Sequence, residues 1–351
     1  MEALIEPSGV SDGNTNGAAT AAPRSEKELI AATRPYLAED RVKTWSLFAT
    51  TLLVFSFLLA LTARAQLWPL KLVGSVLAGL TVVRIFIFYH DYLHNALFRG
   101  SKLAKVIFHL FGFYVMVTPK VWRESHNYHH QHTAKIVGSH VGSYMMVTVG
   151  MWKSMTRGQR LMYKIIRHPL TILFGYFTIF MYGMGISPFL RTPKKHYDAL
   201  LSVILNVAIS AFLIWHEGPA AWFFVYFLPL AVAMAAGAYL FYVQHNFPEM
   251  HVQGRHEWSY MKAALESSSY MKMSPVMHWF TGNIGYHHVH HLNSMIPFYR
   301  LPEAMAGIPE LQHPGTSTWA LKDIVACFRL KLWDPELGKM VGYPKDEPAS
   351  S

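Results

Sequence analysis

The chain has 351 residues, of which 52% are hydrophobic, 14% aromatic and only 15% charged, where a soluble globular domain carries about 25% charged residues; part of its apolar surface must lie in lipid. The formal charge of +10 comes with no basic, aromatic-interleaved module, which excludes nucleic acid as a partner and leaves lysines and arginines gathered in loops that face anionic headgroups. A single cysteine, Cys327, excludes an internal disulfide and any cysteine-built zinc site.

In chain order, residues 1–28 are rich in Gly, Ala, Ser, Thr and Asn without periodicity and read as a disordered tail. They lack the apolar core of a signal peptide, and Glu2, Glu6 and Asp12 argue against a transit peptide. Residues 29–43 read as a short surface helix that delivers the chain to the membrane. Thr44 to Ala63 is a 20-residue run without a charge, long enough to cross the hydrocarbon core. Leu70 to Tyr89 is a second span; its Arg84 is expected to snorkel to the interface. Residues 199–215 and 220–243 make another pair, joined by His216-Glu217-Gly218-Pro219, a link that permits only a tight hairpin. Pro169 to Leu190 is also uncharged for 22 residues. If it crossed, the later histidines would lie on the opposite side of the membrane from the earlier ones, so it is expected to be re-entrant or interfacial. Gly175, Gly183, Gly185 and Pro188 weaken it further as a straight helix.

Lysine plus arginine number 5 up to Lys43, 14 across 91–198 and 9 after 243, whereas the opposite loops hold only Arg64 and Lys71. That bias places both termini and every histidine cluster in the cytoplasm. The expected architecture is all-α and integral to the membrane: four transmembrane helices and a cytosolic, histidine-rich cap within 29–330, followed by a tail at 331–351.

Twenty histidines are unusually many, and they cluster. His90-Asp91-Tyr92-Leu93-His94 closes the second span, and residues at i and i+4 share a helix face. His126-Asn127-Tyr128-His129-His130 and His287-His288-Val289-His290-His291 both read H-x-x-H-H, presenting i, i+3 and i+4 together. Chance would give about one H-x-x-x-H but only roughly 0.07 of an H-x-x-H-H, so the pair of longer boxes carries the signal. His245, just past the fourth span, is a ninth candidate. Neutral imidazole suits zinc, copper, iron and nickel. Eight or nine convergent rings exceed what one ion coordinates, so two metals are implied, and an all-nitrogen pair at a membrane face fits iron that activates dioxygen. Asp91 and Glu124 are placed to hold the outer ring nitrogens. His132 and His288 abut the boxes but fall off the shared face. His109, His140, His168, His196, His216, His251, His256, His278 and His313 are isolated and read as ordinary residues, and His313-Pro314-Gly315 as a loop.

The boxes, in order and spacing, resemble those of the membrane fatty acid desaturases. Trp122-Arg123-Glu124-Ser125 before the second box and Gly282-Asn283-Ile284-Gly285-Tyr286 before the third sharpen the likeness, as do Leu292 through Pro297 after it. The third stretch looks like the acyl-lipid, methyl-end type, and Gln244-His245-Asn246 is similar to a site in bacterial members. The resemblance covers roughly residues 45–305. It implies a four-span fold with a cytosolic di-iron cap, two iron ions, dioxygen as co-substrate, a fatty acyl lipid substrate, and electrons from a ferredoxin- or cytochrome-type partner. Tyr92 and Leu93 depart from the small residues often found inside the first box, which bears on substrate position. Two rival readings keep the metals: the same site inserting oxygen by hydroxylation, epoxidation or ketolation, and a non-enzymatic membrane metal-binding protein.

Overall fold

A chain segment in lipid must pair its own backbone groups, so long apolar runs settle as helices. The computed structural model describes residues 24–136, 141–254 and 256–344, and nearly all its regular structure is helical. Ser25 opens α1 (Glu26–Ala32) with a reciprocal cap, its hydroxyl accepting from Glu28 N and its own N–H donating to the Glu28 carboxylate. The N-terminal tail therefore ends sooner than residue 28; residues 1–23 lie outside the described residues. The surface helix expected over 29–43 is broken, because Pro35 turns the chain through a 3₁₀ turn, Arg34–Tyr36. Leu29 is fully buried in the main core, so this segment packs on the protein.

Asp40 caps α2 (Arg41–Arg64), accepting from Lys43 N at 2.9 Å. The next helix, α3 (Trp68–Leu93), is the centre of the bundle. Its small residues let neighbours approach closely: a Cβ at Gly79 would sit 2.7 Å from the Pro229 carbonyl oxygen, and Ser75 donates to Phe224 O at 2.6 Å. Arg84 does not snorkel. It is 4% exposed, held inside the protein by Thr51 and by the Trp279 carbonyl.

After α3 come α4 (Lys102–Tyr114), which is not among the expected elements, and α5 (Pro119–His132), bent 86° from it. Tyr89 OH fixes the turn between them by donating to Val117 O at 2.7 Å. Two short helices, α6 (Val149–Ser154) and α7 (Arg157–Ile166), lead to the ambiguous apolar stretch. It forms α8 (Pro169–Leu173), a π-helical run at Tyr176–Ile186 and α9 (Ser187–Arg191). Before it, Arg167 bonds Asn246; after it, Lys195 pairs with Glu124 of α5. Both flanks thus sit at the histidine-bearing end of the bundle.

The helical hairpin consists of α10 (Tyr197–Glu217), then α11 (Pro219–Ala221), a π-helical turn at Trp222–Phe227, and α12 (Leu228–Val243). Gly218 alone links its arms, at φ +87°, a conformation that favours glycine. Four helices are long and apolar enough to cross a membrane: Arg41–Arg64, Trp68–Leu93, Tyr197–Glu217 and Pro219–Val243.

The remaining chain covers one end of the bundle. It contains α13 (Tyr260–Glu266), β1 (Tyr270–Lys272), α14 (Pro275–Phe280), α15 (His287–Leu292), α16 (Leu301–Gly307), β2 (Thr316–Thr318) and α17 (Leu321–Arg329). β1 and β2 pair in parallel, Tyr270 opposite Thr316. The C-terminal tail is in part structured: β3 (Leu332–Asp334) and β4 (Lys339–Val341) form an antiparallel hairpin. Leu332 buries itself with Val147, Trp152 and Tyr163 in a small second core, which supplies the apolar contact a tail would lack. Residues 345–351 lie outside the described residues.

Candidate metal centre

Helix periodicity decides which rings can meet. His90 and His94 stack one turn apart at the end of α3, His126 and His130 do the same on α5, and His129 points to the side of that pair, about 60° from His126 and about 100° from His130. On α15 the equivalent pair is His287 and His291, with His290 offset.

The nine rings gather as two adjoining groups. His90, His94, His126, His130 and His290 form the first; His129, His245, His287 and His291 form the second. Within each group one nitrogen per ring lies within 4.8 Å of all the others. In the first group, Nε2 of His126 stands 2.9 Å from that of His90 and 3.2 Å from that of His130, which is 3.1 Å from His290 Nε2. In the second, His129 Nε2 is 3.1 Å from His245 Nε2 and 3.2 Å from His291 Nε2, and His245 Nε2 is 2.9 Å from His287 Nε2. The groups touch where His130 and His291 stack, 4.3 Å between ring centres. Each H-x-x-H-H box is therefore shared. The second box gives its i, i+4 pair to the first group and His129 to the second; the third box does the reverse.

The donor set fits metal ions. Nitrogens about 2.0–2.1 Å from one ion and at right angles would be about 2.9 Å apart, close to the observed spacings. Mutual hydrogen bonds cannot satisfy all the rings, since a neutral imidazole carries one N–H, and His94 Nε2 is buried with no partner. Burial, reinforced by neighbouring rings, holds His94, His126, His129, His130, His287, His290 and His291 well below the usual imidazole range. His245 is pulled down to about 4 by burial, against the Ser267 carbonyl at its Nδ1. These rings are neutral and can donate lone pairs.

Asp91 stands behind the first group. Its Oδ1 lies 3.0 Å from His90 Nδ1, and its Oδ2 accepts from Phe298 N at 2.8 Å. Glu124, two residues before His126, faces the opposite side of α5 and pairs with Lys195 at 2.7 Å rather than with a ring of either group. His132 stacks on Tyr128, and His288 bonds the Leu311 carbonyl, so neither joins a group. The isolated histidines stay outside both groups; His140 lies outside the described residues.

Some supports of the rings were not anticipated from the sequence. Trp122 stacks on His126 at 4.5 Å, and Phe241 sits 4.8 Å from the His129 ring. Trp122 is four residues before His126 on α5, so periodicity could have marked it; Phe241 lies on α12, whereas His245 stands beyond that helix's end. Thr133 Oγ1 donates to His129 O four residues back, a local bond that its spacing could have marked, whereas the Ser267 carbonyl follows from tertiary packing and leaves no sequence signal. A cavity of about 30 Å³ adjoins the second group, bordered by His129, His245, Phe241, Tyr144 and Arg167.

The family model for fatty acid desaturase matches residues 66–321, which include all nine rings. The chain is 28% identical over 275 residues to a fatty acid desaturase of Bacillus subtilis (strain 168), covering 78% of each chain. It is 24% identical to the sn-1 acyl-lipid omega-3 desaturase (ferredoxin) of Nostoc sp. (strain 36), over 74% of this chain and 73% of that one. With the chloroplastic sn-2 acyl-lipid omega-3 desaturase (ferredoxin) of Arabidopsis thaliana it shares 25% identity, over 68% of this chain and 54% of the relative.

Proposed function

The chain belongs to the fatty acid desaturase family, and from that premise we propose that it introduces a cis double bond into the acyl chain of a membrane lipid. The observation that carries this reading is the pair of adjoining histidine groups at one end of an apolar helical bundle. His90, His94, His126, His130 and His290 would hold one iron, and His129, His245, His287 and His291 the other. When bound, the iron pair would supply dioxygen activation and the abstraction of two hydrogens from adjacent methylenes. With two electrons and two protons from outside, dioxygen leaves as two waters.

The protein's own part is placement. Asp91 accepts from His90 Nδ1 and fixes which nitrogen faces inward. The Ser267 carbonyl does the same for His245. Trp122 and Phe241 wall the rings with apolar surface, keeping bulk water from the reacting carbons. Misplacing the acyl chain by about an ångström can cost 10²-fold in rate, so rigid ring supports matter more than any single polar contact. The four apolar helices would span the membrane, with both termini and the histidines cytoplasmic, as the lysine and arginine bias supports. The electrons would come from a ferredoxin- or cytochrome-type protein; two of the relatives carry ferredoxin in their names.

Expression in a host of known lipid composition tests the proposal. New monounsaturated or further unsaturated acyl chains are expected in the lipid profile. Oxygen from labelled dioxygen retained in the product would overturn desaturation in favour of hydroxylation, epoxidation or ketolation; exchangeable metal without oxygen consumption would favour a carrier.

A further inference from the structure

An arginine inside an apolar helix is costly unless something in the fold uses it. Arg84 lies in the middle third of α3, fully inside the protein, and none of its hydrogen-bond or ring partners is a carboxylate. Its Nε donates to Thr51 Oγ1 of α2 at 3.0 Å, and its Nη1 donates to the Trp279 carbonyl at the end of α14. Its guanidinium lies over three rings: Trp279 at 4.4 Å, Phe298 at 5.4 Å and Phe88 at 5.7 Å. Trp279 and Phe298 flank the third histidine box, eight residues before His287 and seven after His291.

The same face of α3 holds other points of that segment. Gly282, at φ +50°, lies so close to Ile87 that a Cβ would come within 2.9 Å of its Cγ2. Asp91, two helical turns beyond Arg84, takes the Phe298 N–H at 2.8 Å. The Asn283 amide joins the two flanks by donating to Phe298 O at 3.2 Å. The short helix α15 is thus strung between two anchorages on α3.

We propose that Arg84 is a positioning residue that clamps both flanks of the third box and thereby sets the second histidine group. The clamp acts unequally, because α15 gives two of four rings to the second group and only one of five to the first. A planar, forked cation suits this role, since it reaches a hydroxyl and a carbonyl at once and stacks on rings, which a lysine ammonium cannot reproduce.

The inference rests on the metal-binding reading of the two groups, and metal titration separates the two. Cobalt(II) is titrated into purified, metal-free wild type, Arg84→Lys and Arg84→Met, followed by its absorption spectrum, with thermal unfolding of the metal-free forms recorded beside it. Wild type is expected to fill two sites. Arg84→Met is expected to weaken one of them by about 10–100-fold, the scale of losing an outer support, leaving the other unchanged; Arg84→Lys is expected to fall between. A wild type that binds no cobalt overturns the metal reading and the clamp with it. A wild type with two sites, matched by Arg84→Met or weakened equally at both, overturns the clamp alone. Failure of both variants to fold also overturns it, since the role would then belong to the whole bundle.

Discussion

Four of the five rings in the first histidine group hang from two long helices, α3 and α5, as i, i+4 pairs; in the second group His129 alone hangs from a long helix. His245 stands two residues beyond α12, and His287 and His291 ride on a six-residue helix. The surroundings differ as well. The carboxyl group of Asp91 backs the first group, whereas Arg167 borders the cavity that adjoins the second, and Lys331 donates to the Arg167 carbonyl at 2.8 Å. A long helix aims its rings by its own hydrogen bonds. A short one borrows its aim from distant residues, so the second group should respond to changes far from it and the first should not.

The contrast breaks most visibly if a ring is removed. His290→Ala takes one ligand from the first group and His129→Ala one from the second; each is expected to abolish product while leaving membrane insertion intact, as read by lipid profile and membrane fractionation. Full activity in either variant would remove the assignment.

Asp91→Asn is the next largest test. An amide oxygen is a weaker acceptor for His90 Nδ1 than the carboxyl group, so metal affinity of the first group is expected to drop by about 10–100-fold with the second unchanged. Equal losses at both would mean that the groups are not separately supported.

Lys331 probes the cationic side. Burial, with Arg167 beside it, lowers its pKa to about 8. Between about 8 and the ordinary value near 10.5 the unfolded chain holds a proton that the native one has lost, so native stability rises with pH across that window. Lys331→Met is expected to be the more stable form at pH 7 in detergent thermal unfolding, with its advantage shrinking as pH climbs to 10. A pH-independent difference would place the cost of Lys331 elsewhere.

The smallest effect belongs to Glu124→Gln. The Glu124–Lys195 pair is half exposed, and such pairs contribute about 0–1 kcal/mol; metal affinity and product yield are expected to stay at wild-type levels.

Much of this architecture is legible in the residues alone. Lipid allows few backbone solutions, so uncharged runs located the four long helices to within a few residues. Helical periodicity also told His132 and His288 apart from their neighbours. The division of each box between two groups was not legible, because it depends on how α5 and α15 face one another. Arg84 was misjudged for a related reason: snorkelling is the answer for a lone helix, and the ring pocket that receives this one comes from residues some 195 and 214 positions later. Helix α4 went unseen although Ser101 caps it and Ala104, Phe108 and Gly112 repeat every four residues along its buried face; the β3–β4 hairpin has no such pattern and gains its stability from tertiary contacts.

The single glycine between the arms of the α10–α12 hairpin has a temporal side. By the time the ribosome has made residue 130, four rings of the first group already exist, 115 positions before His245 and more than 150 before the third box. A hairpin with no slack would enter lipid as one object, and His245, two residues beyond its second arm, is made 42 positions before the last box begins. In order of synthesis, then, four of the five rings of the first group and two of the four of the second precede the third box.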